Sequence, residues 1–119
     1  MSYDIKLVDP VSKQVIELAF PHFLRGGTYA VNGTEELWLN VTYNYSKFFY
    51  QFIDNKKGIR AIYGKSGAES IPILESAINN LKDDITDNYW DSTEGNAKSA
   101  LIQLLTMAKM RPDGIWDGD

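Results

Sequence analysis

Leu37-Trp38-Leu39-Asn40-Val41-Thr42-Tyr43-Asn44-Tyr45-Ser46-Lys47-Phe48-Phe49-Tyr50-Gln51-Phe52-Ile53 changes its hydrophobic period part-way along, and that change decides the fold. From Leu37 to Tyr45 the side chains alternate: Leu37, Leu39, Val41, Tyr43 and Tyr45 share one face, and Trp38, Asn40, Thr42 and Asn44 share the other. A period of two belongs to a strand with one face in the core. Beyond Tyr45, Phe48, Phe49, Phe52 and Ile53 recur at three and four residues, the period of a short helix, with Ser46 placed to cap it.

Upstream, Tyr3, Ile5 and Leu7 alternate with Asp4 and Lys6, which predicts a strand over 3–8. Asp9-Pro10-Val11-Ser12 supplies turn chemistry, and Gln14–Leu18 is expected to return beside that strand. Arg25-Gly26-Gly27-Thr28-Tyr29 marks a tight bend, and Asn32-Gly33 is a hairpin signal that would pair Thr28–Val31 with Leu37–Tyr45. Downstream, Ile59–Tyr63 fits one further turn or a brief extended piece. Ile71, Leu74, Ala77, Ile78, Leu81 and Ile85 form a stripe that predicts a helix over about 71–83, with Ser70 ahead of it and Pro72 in the first turn. Thr93 caps a second helical run, in which Ala97, Ala100, Leu101, Leu104 and Ala108 line a face up to Met110, before Pro112-Asp113-Gly114 stops it. Strands first and helices afterwards predict an α+β fold: a small antiparallel sheet from the N-terminal half, packed with C-terminal helices in a single domain over 1–119.

With 119 residues, 44% of them hydrophobic, the chain can bury one core without covalent staples. The absence of cysteine removes thiolate nucleophiles and cysteine-rich zinc sites and is compatible with a reducing cytoplasm. A single histidine, His22, removes paired-histidine metal motifs and reads as a partly buried loop residue. No secretory pattern opens the chain and no apolar run approaches the ~20 residues that span a bilayer, so a non-exported cytoplasmic protein is expected. A net charge of −4 disfavours binding to nucleic acid polymers. The charges are segregated: Lys47, Lys56, Lys57, Arg60 and Lys65 face only Asp54 in the middle, whereas Asp83, Asp84, Asp87, Asp91 and Glu94 stand together later. Such blocks serve either as solvated faces or as a polarised surface for a partner of opposite charge.

Few residue groups carry chemistry. Gly64-Lys65-Ser66 resembles a phosphate loop, but Ile59 stands where that motif needs its first glycine. Lys65 and Ser66 therefore read as a cap of the following helix, or as an anion contact at its start. Arg25, Thr28 and Tyr29 combine a cation with accessible backbone and a ring, suiting a tight turn or a ligand loop. The C-terminal Asp113, Asp117 and Asp119 do not match a calcium loop and read as a solvated tail anchored by Trp116; no metal or other cofactor is expected. Seven tyrosines and three tryptophans exceed what a core of this size hides comfortably, which turns attention to Tyr43, Asn44 and Tyr45, close in sequence to Trp38 and Asn40, either as a stacking and hydrogen-bonding surface or as large side chains of a two-faced sheet covered by helices.

Taken with the 25–29 loop, the Trp38–Tyr45 strand and Gly67-Ala68-Glu69-Ser70-Ile71-Pro72, the closing run Arg111-Pro112-Asp113-Gly114-Ile115-Trp116-Asp117-Gly118-Asp119 resembles a family of short proteins of phages, prophages and bacterial genomes with no established activity. The resemblance implies a mobile-element setting, where small proteins without catalytic apparatus act by binding. The leading expectation is a non-enzymatic binder of a small anionic, nucleotide-like ligand, sequestering a host immune signal. Arg25, Lys65 and Arg111 would meet the phosphates, Thr28, Tyr29, Trp38, Asn40, Asn44, Tyr45 and Ser66 would complete the site, and a homo-oligomer would enclose it. The alternative is a protein-inhibitor or immunity-type module that meets a host protein partner through the acidic stretch. A carboxylate- or lysine-dependent enzyme comes third.

Overall fold

The computed structural model describes residues 1–27 and 31–119. Its architecture is α+β, in the order β1 (Ser2–Val8), β2 (Glu17–His22), β3 (Thr34–Glu36), β4 (Trp38–Thr42), α1 (Ser46–Phe52), α2 (Gly67–Asn80), α3 (Glu94–Met110) and β5 (Ile115–Gly118). The main sheet is antiparallel with β1 at its centre, in the order β4-β1-β5, and β2 and β3 form a separate two-stranded ribbon. Tyr3, Ile5 and Leu7 of β1, Leu39 and Val41 of β4 and Trp116 of β5 turn to one side and meet Leu74 and Ala77 of α2 and Ala97, Ala100, Leu101, Leu104 and Met107 of α3 in a single core. No helix among the described residues is long and apolar enough to cross a membrane.

Several boundaries differ from the sequence expectation, each for a local reason. The Leu37–Tyr45 strand ends at Thr42, because the Thr42 side chain accepts a hydrogen bond from the Asn44 amide and turns Tyr43–Tyr45 into a 3-10 turn. That turn runs directly into α1, so Ser46 is not its side-chain cap; its hydroxyl instead lies 2.7 Å from that of Tyr3. The return strand is shorter than expected: Val15 bridges Val8 and the Ile16 amide reaches the Leu7 carbonyl, after which the chain leaves β1 and becomes β2. β4 pairs with β1, in the register Ile5 to Leu39, and the expected Thr28–Val31 partner falls mostly on residues outside the described ones.

α2 starts four residues before Ile71, since Ser66 and Glu69 form a reciprocal capping box and Pro72 sits in the second turn instead of the first. The helix ends at Asn80, which leaves Ile85 exposed in the following loop and off the buried stripe. α3 keeps its expected cap, with the Asn96 amide donating to the Thr93 hydroxyl. The largest correction is the C-terminal run. Ile115–Gly118 is no solvated tail but a strand paired with β1, and Trp116, opposite Leu7, is fully buried with its indole N–H donating to Ser70 Oγ at 2.8 Å.

Both outer edges of the sheet are closed by loop backbone. Beside β5, Gly64 N donates to Trp116 O and Trp116 N to Lys65 O. Beside β4, Gly27 N donates to Asn40 O at 3.0 Å, and a Cβ on Gly26 would stand 1.8 Å from that same oxygen. Only glycine permits this approach.

Candidate functional site

The closure of β4 also helps to shape a recess to which two of the anticipated residues, Arg25 and Tyr45, contribute. The Arg25–Gly27 loop crosses the end of the sheet and is tied to α3 by the Arg25 amide, which donates to Gln103 Oε1 at 2.6 Å. The loop between α2 and α3 folds back over the same end. Asn96, nearly buried at the start of α3, organises it: its carbonyl accepts from the Thr86 amide, and its Nδ2 lies within hydrogen-bonding distance of Thr86 Oγ1, Asn88 O and Asp91 O. Asp91 also accepts from Thr86 Oγ1 and Asn88 Nδ2, and Asp84 accepts from the Gly95 amide. Asp83 pairs with Lys98 at 2.6 Å. Most of the acidic block is therefore spent on holding this loop.

The fold-back brings Tyr89 and Trp90 against the sheet. Tyr89 receives the Thr42 amide on its hydroxyl, takes the Tyr45 hydroxyl on its carbonyl, and stacks edgewise on Tyr45 at 5.5 Å and on Trp90 at 5.0 Å. Burial pushes the Tyr45 phenol well above the ordinary range and raises that of Tyr89, so both favour the neutral form. Trp90 is 49% exposed.

Between these parts lies an open cleft of about 180 Å³, lined by Arg25, Tyr45, Ile85, Thr86, Asp87, Tyr89, Asn96, Ser99, Ala100 and Gln103. The Arg25 guanidinium stands 6.0 Å from the centre of the Tyr89 ring and forms no ion pair among the described residues. The volume lies below the ~300–1,000 Å³ typical of sites that enclose a drug-sized ligand. It accommodates one end of such a molecule, or the whole of a very small one.

The anticipated residues separate into distinct places. Arg25 and Tyr45 reach the cleft. Asn44 lies next to it in sequence and spends its side-chain amide on Trp90 O. Asn40 is buried and donates to Ser2 Oγ and Asp4 Oδ1, while Trp38 borders a shallow hollow on the outer face of the sheet with Asp4, Lys6 and Glu36. Lys65, Ser66 and Arg111 gather at the corner where α2 begins and α3 ends. Arg111 lies eight residues beyond Gln103, roughly 12 Å further along the helix direction at 1.5 Å per residue.

At that corner the first amides of α2 are already taken. Gly67 N donates to Gly114 O, Ala68 N to Pro112 O, Glu69 N to Ser66 Oγ and Ser70 N to Ser66 O. Arg111 closes a bidentate pair with Asp113. Thr28 and Tyr29 lie outside the described residues. No group of three or more His, Asp or Glu side chains placed to hold a metal ion occurs among the described residues.

Sequence reasoning missed Thr86, Asp87, Tyr89, Asn96, Ser99 and Gln103. Two signals point to them in hindsight: an aromatic pair, Tyr89-Trp90, inside an otherwise polar linker, and Asn96 beside the alanine stripe of α3. Comparison of the chain with protein-family models, with curated proteins and with solved structures finds no match.

Proposed function

We propose that the protein binds a small anionic ligand without transforming it, and that Arg25 receives the anionic group at the mouth of the cleft. The observation that carries this reading is a guanidinium with no carboxylate partner among the described residues, 6.0 Å from the centre of the partly buried Tyr89 ring, in a cleft that Ser99 also lines. A nucleotide would lodge a phosphate there and leave its base outside the cleft, where the half-exposed Trp90, in edge contact with Tyr89 of the cleft wall, offers a ring to stack on. A phage or prophage origin, work in the cytoplasm of the host cell, sequestration of an immune signal, and a homo-oligomer that closes the open side of the cleft belong to the same proposal.

Calorimetry with cyclic nucleotides, nucleotide sugars and inorganic phosphate tests it. Saturable binding that weakens ~10–100-fold in Arg25→Ala is expected, the range that corresponds to one charge-assisted hydrogen bond. No heat from any of these ligands at high micromolar concentration would overturn it.

A second reading, a protein-binding module, draws support from the β2–β3 ribbon. Phe20 is 80% exposed and Phe23, just beyond the strand, 74%, with Glu17 and Glu36 nearby. Co-purification of a stoichiometric basic protein that is lost in Phe20→Ser would favour it over the small-ligand reading.

A further inference from the structure

The cleft holds charges of both signs that do not neutralise each other. Asp87 lines it together with Arg25, yet the two form no ion pair, and the Asp87 carboxylate takes no hydrogen bond from any described residue. The other carboxylates of that loop are committed: Asp83 to Lys98, Asp84 to the Gly95 amide, Asp91 to Thr86 and Asn88. Asp87 alone among them faces the cleft unspent, on the loop whose geometry Asn96 fixes. For a purely anionic ligand this placement is unfavourable, because the carboxylate repels what Arg25 attracts. For a ligand with separated charges it is complementary.

We infer that the ligand is a small zwitterion of the amino-acid type, its carboxylate on Arg25 and its ammonium group on Asp87. Ser99 supplies a further hydrogen-bonding group, while Ile85, Ala100 and the Tyr89 ring border what remains. The cleft, at about 180 Å³, has room for a ligand of this size. The inference rests on the reading that Arg25 receives an anionic group, and it assigns that group to a zwitterion in place of a nucleotide.

The test turns on the sign of one substitution. The whole chain is titrated with glycine, serine, acetate, inorganic phosphate and cyclic AMP, as wild type, Asp87→Asn and Arg25→Gln, with circular dichroism to confirm that each variant is folded. Glycine or serine should bind wild type more tightly than acetate does. Asp87→Asn should weaken the amino acid at least tenfold while strengthening acetate or phosphate severalfold, and Arg25→Gln should weaken all of them.

If phosphate or cyclic AMP binds in an Arg25-dependent way and Asp87→Asn fails to weaken glycine and serine, the zwitterion is overturned and the anion reading stands. If nothing binds, both fall. Both substituted residues are exposed, so neither replacement disturbs the core, and the ranking of ligands on wild-type protein decides independently of the variants.

Discussion

Tyr63 keeps its hydroxyl buried with no hydrogen-bond partner among the described residues, packed against Gly118. A buried hydroxyl without a partner costs about 1–3 kcal/mol, so Tyr63→Phe should stabilise the fold. A gain of about 1 kcal/mol would raise the melting temperature by ~3–5 °C in a calorimetric scan. Gly26→Ala acts in the opposite direction. Its methyl group would stand 1.8 Å from the Asn40 carbonyl, so the loop must lift, and the Gly27 hydrogen bond and the position of Arg25 go with it. A loss of more than ~2 kcal/mol in denaturant titrations is expected, with ligand affinity falling together with stability. At this scale the sequence was partly legible. Arg25 and its glycines declare a bend beside a cation, and the structure puts that cation on a cleft. Asp87 and Ser99 could not be found in this way, because nothing local distinguishes them from other polar residues; they matter only through what folds beside them.

The start of α2 shows how an element can outcompete a ligand for its own donors. Ser66 and Glu69 cap each other's backbone, and two loop carbonyls take the neighbouring amides. Ser66→Ala should therefore cost ~1 kcal/mol in thermal melts and leave the affinity of any cleft ligand unchanged. The capping box was spelled out in Ser66-Gly67-Ala68-Glu69, yet Pro72 drew the predicted start forward, since proline is most comfortable in a first turn. The helical stripes and the strands of the first half were readable because their periods are local. β5 was not. Four residues after a helix stop carry too little period to announce a strand, and its existence depends on β1, more than a hundred residues away. The ribbon of β2 and β3 sets Glu17 directly opposite Glu36, a like-charged pair. Glu36→Lys should steady it by ~0.2–1 kcal/mol, seen as slower amide exchange in β2 and β3.

For the molecule as a whole, ionisable groups bound the pH range of stability from both sides. Burial raises the phenols of Tyr3, Tyr45, Tyr63 and Tyr89, so each favours the fold in its neutral form. That contribution is complete below the ordinary phenol pKa near ~10 and is lost as pH climbs through the raised values. Backbone amides lower Asp9, Asp54 and Glu69, and Arg111 lowers Asp113; these contributions are present above about pH 4 and vanish as the carboxylates protonate below it. Melting temperatures should be flat between about pH 5 and pH 9, with tyrosinate absorbance on the alkaline side appearing together with unfolding for the buried rings. The order of the sheet also has a consequence for biosynthesis. β1 leaves the ribosome first and stands at the centre, but the strand on one of its sides is made about a hundred residues later, some 5–20 s at ~5–20 residues per second. Through that interval Ile5 and Leu7 lack the cover of Trp116, so the nascent chain carries an incomplete apolar sheet until its last strand emerges, and the domain must finish folding after translation has passed that strand.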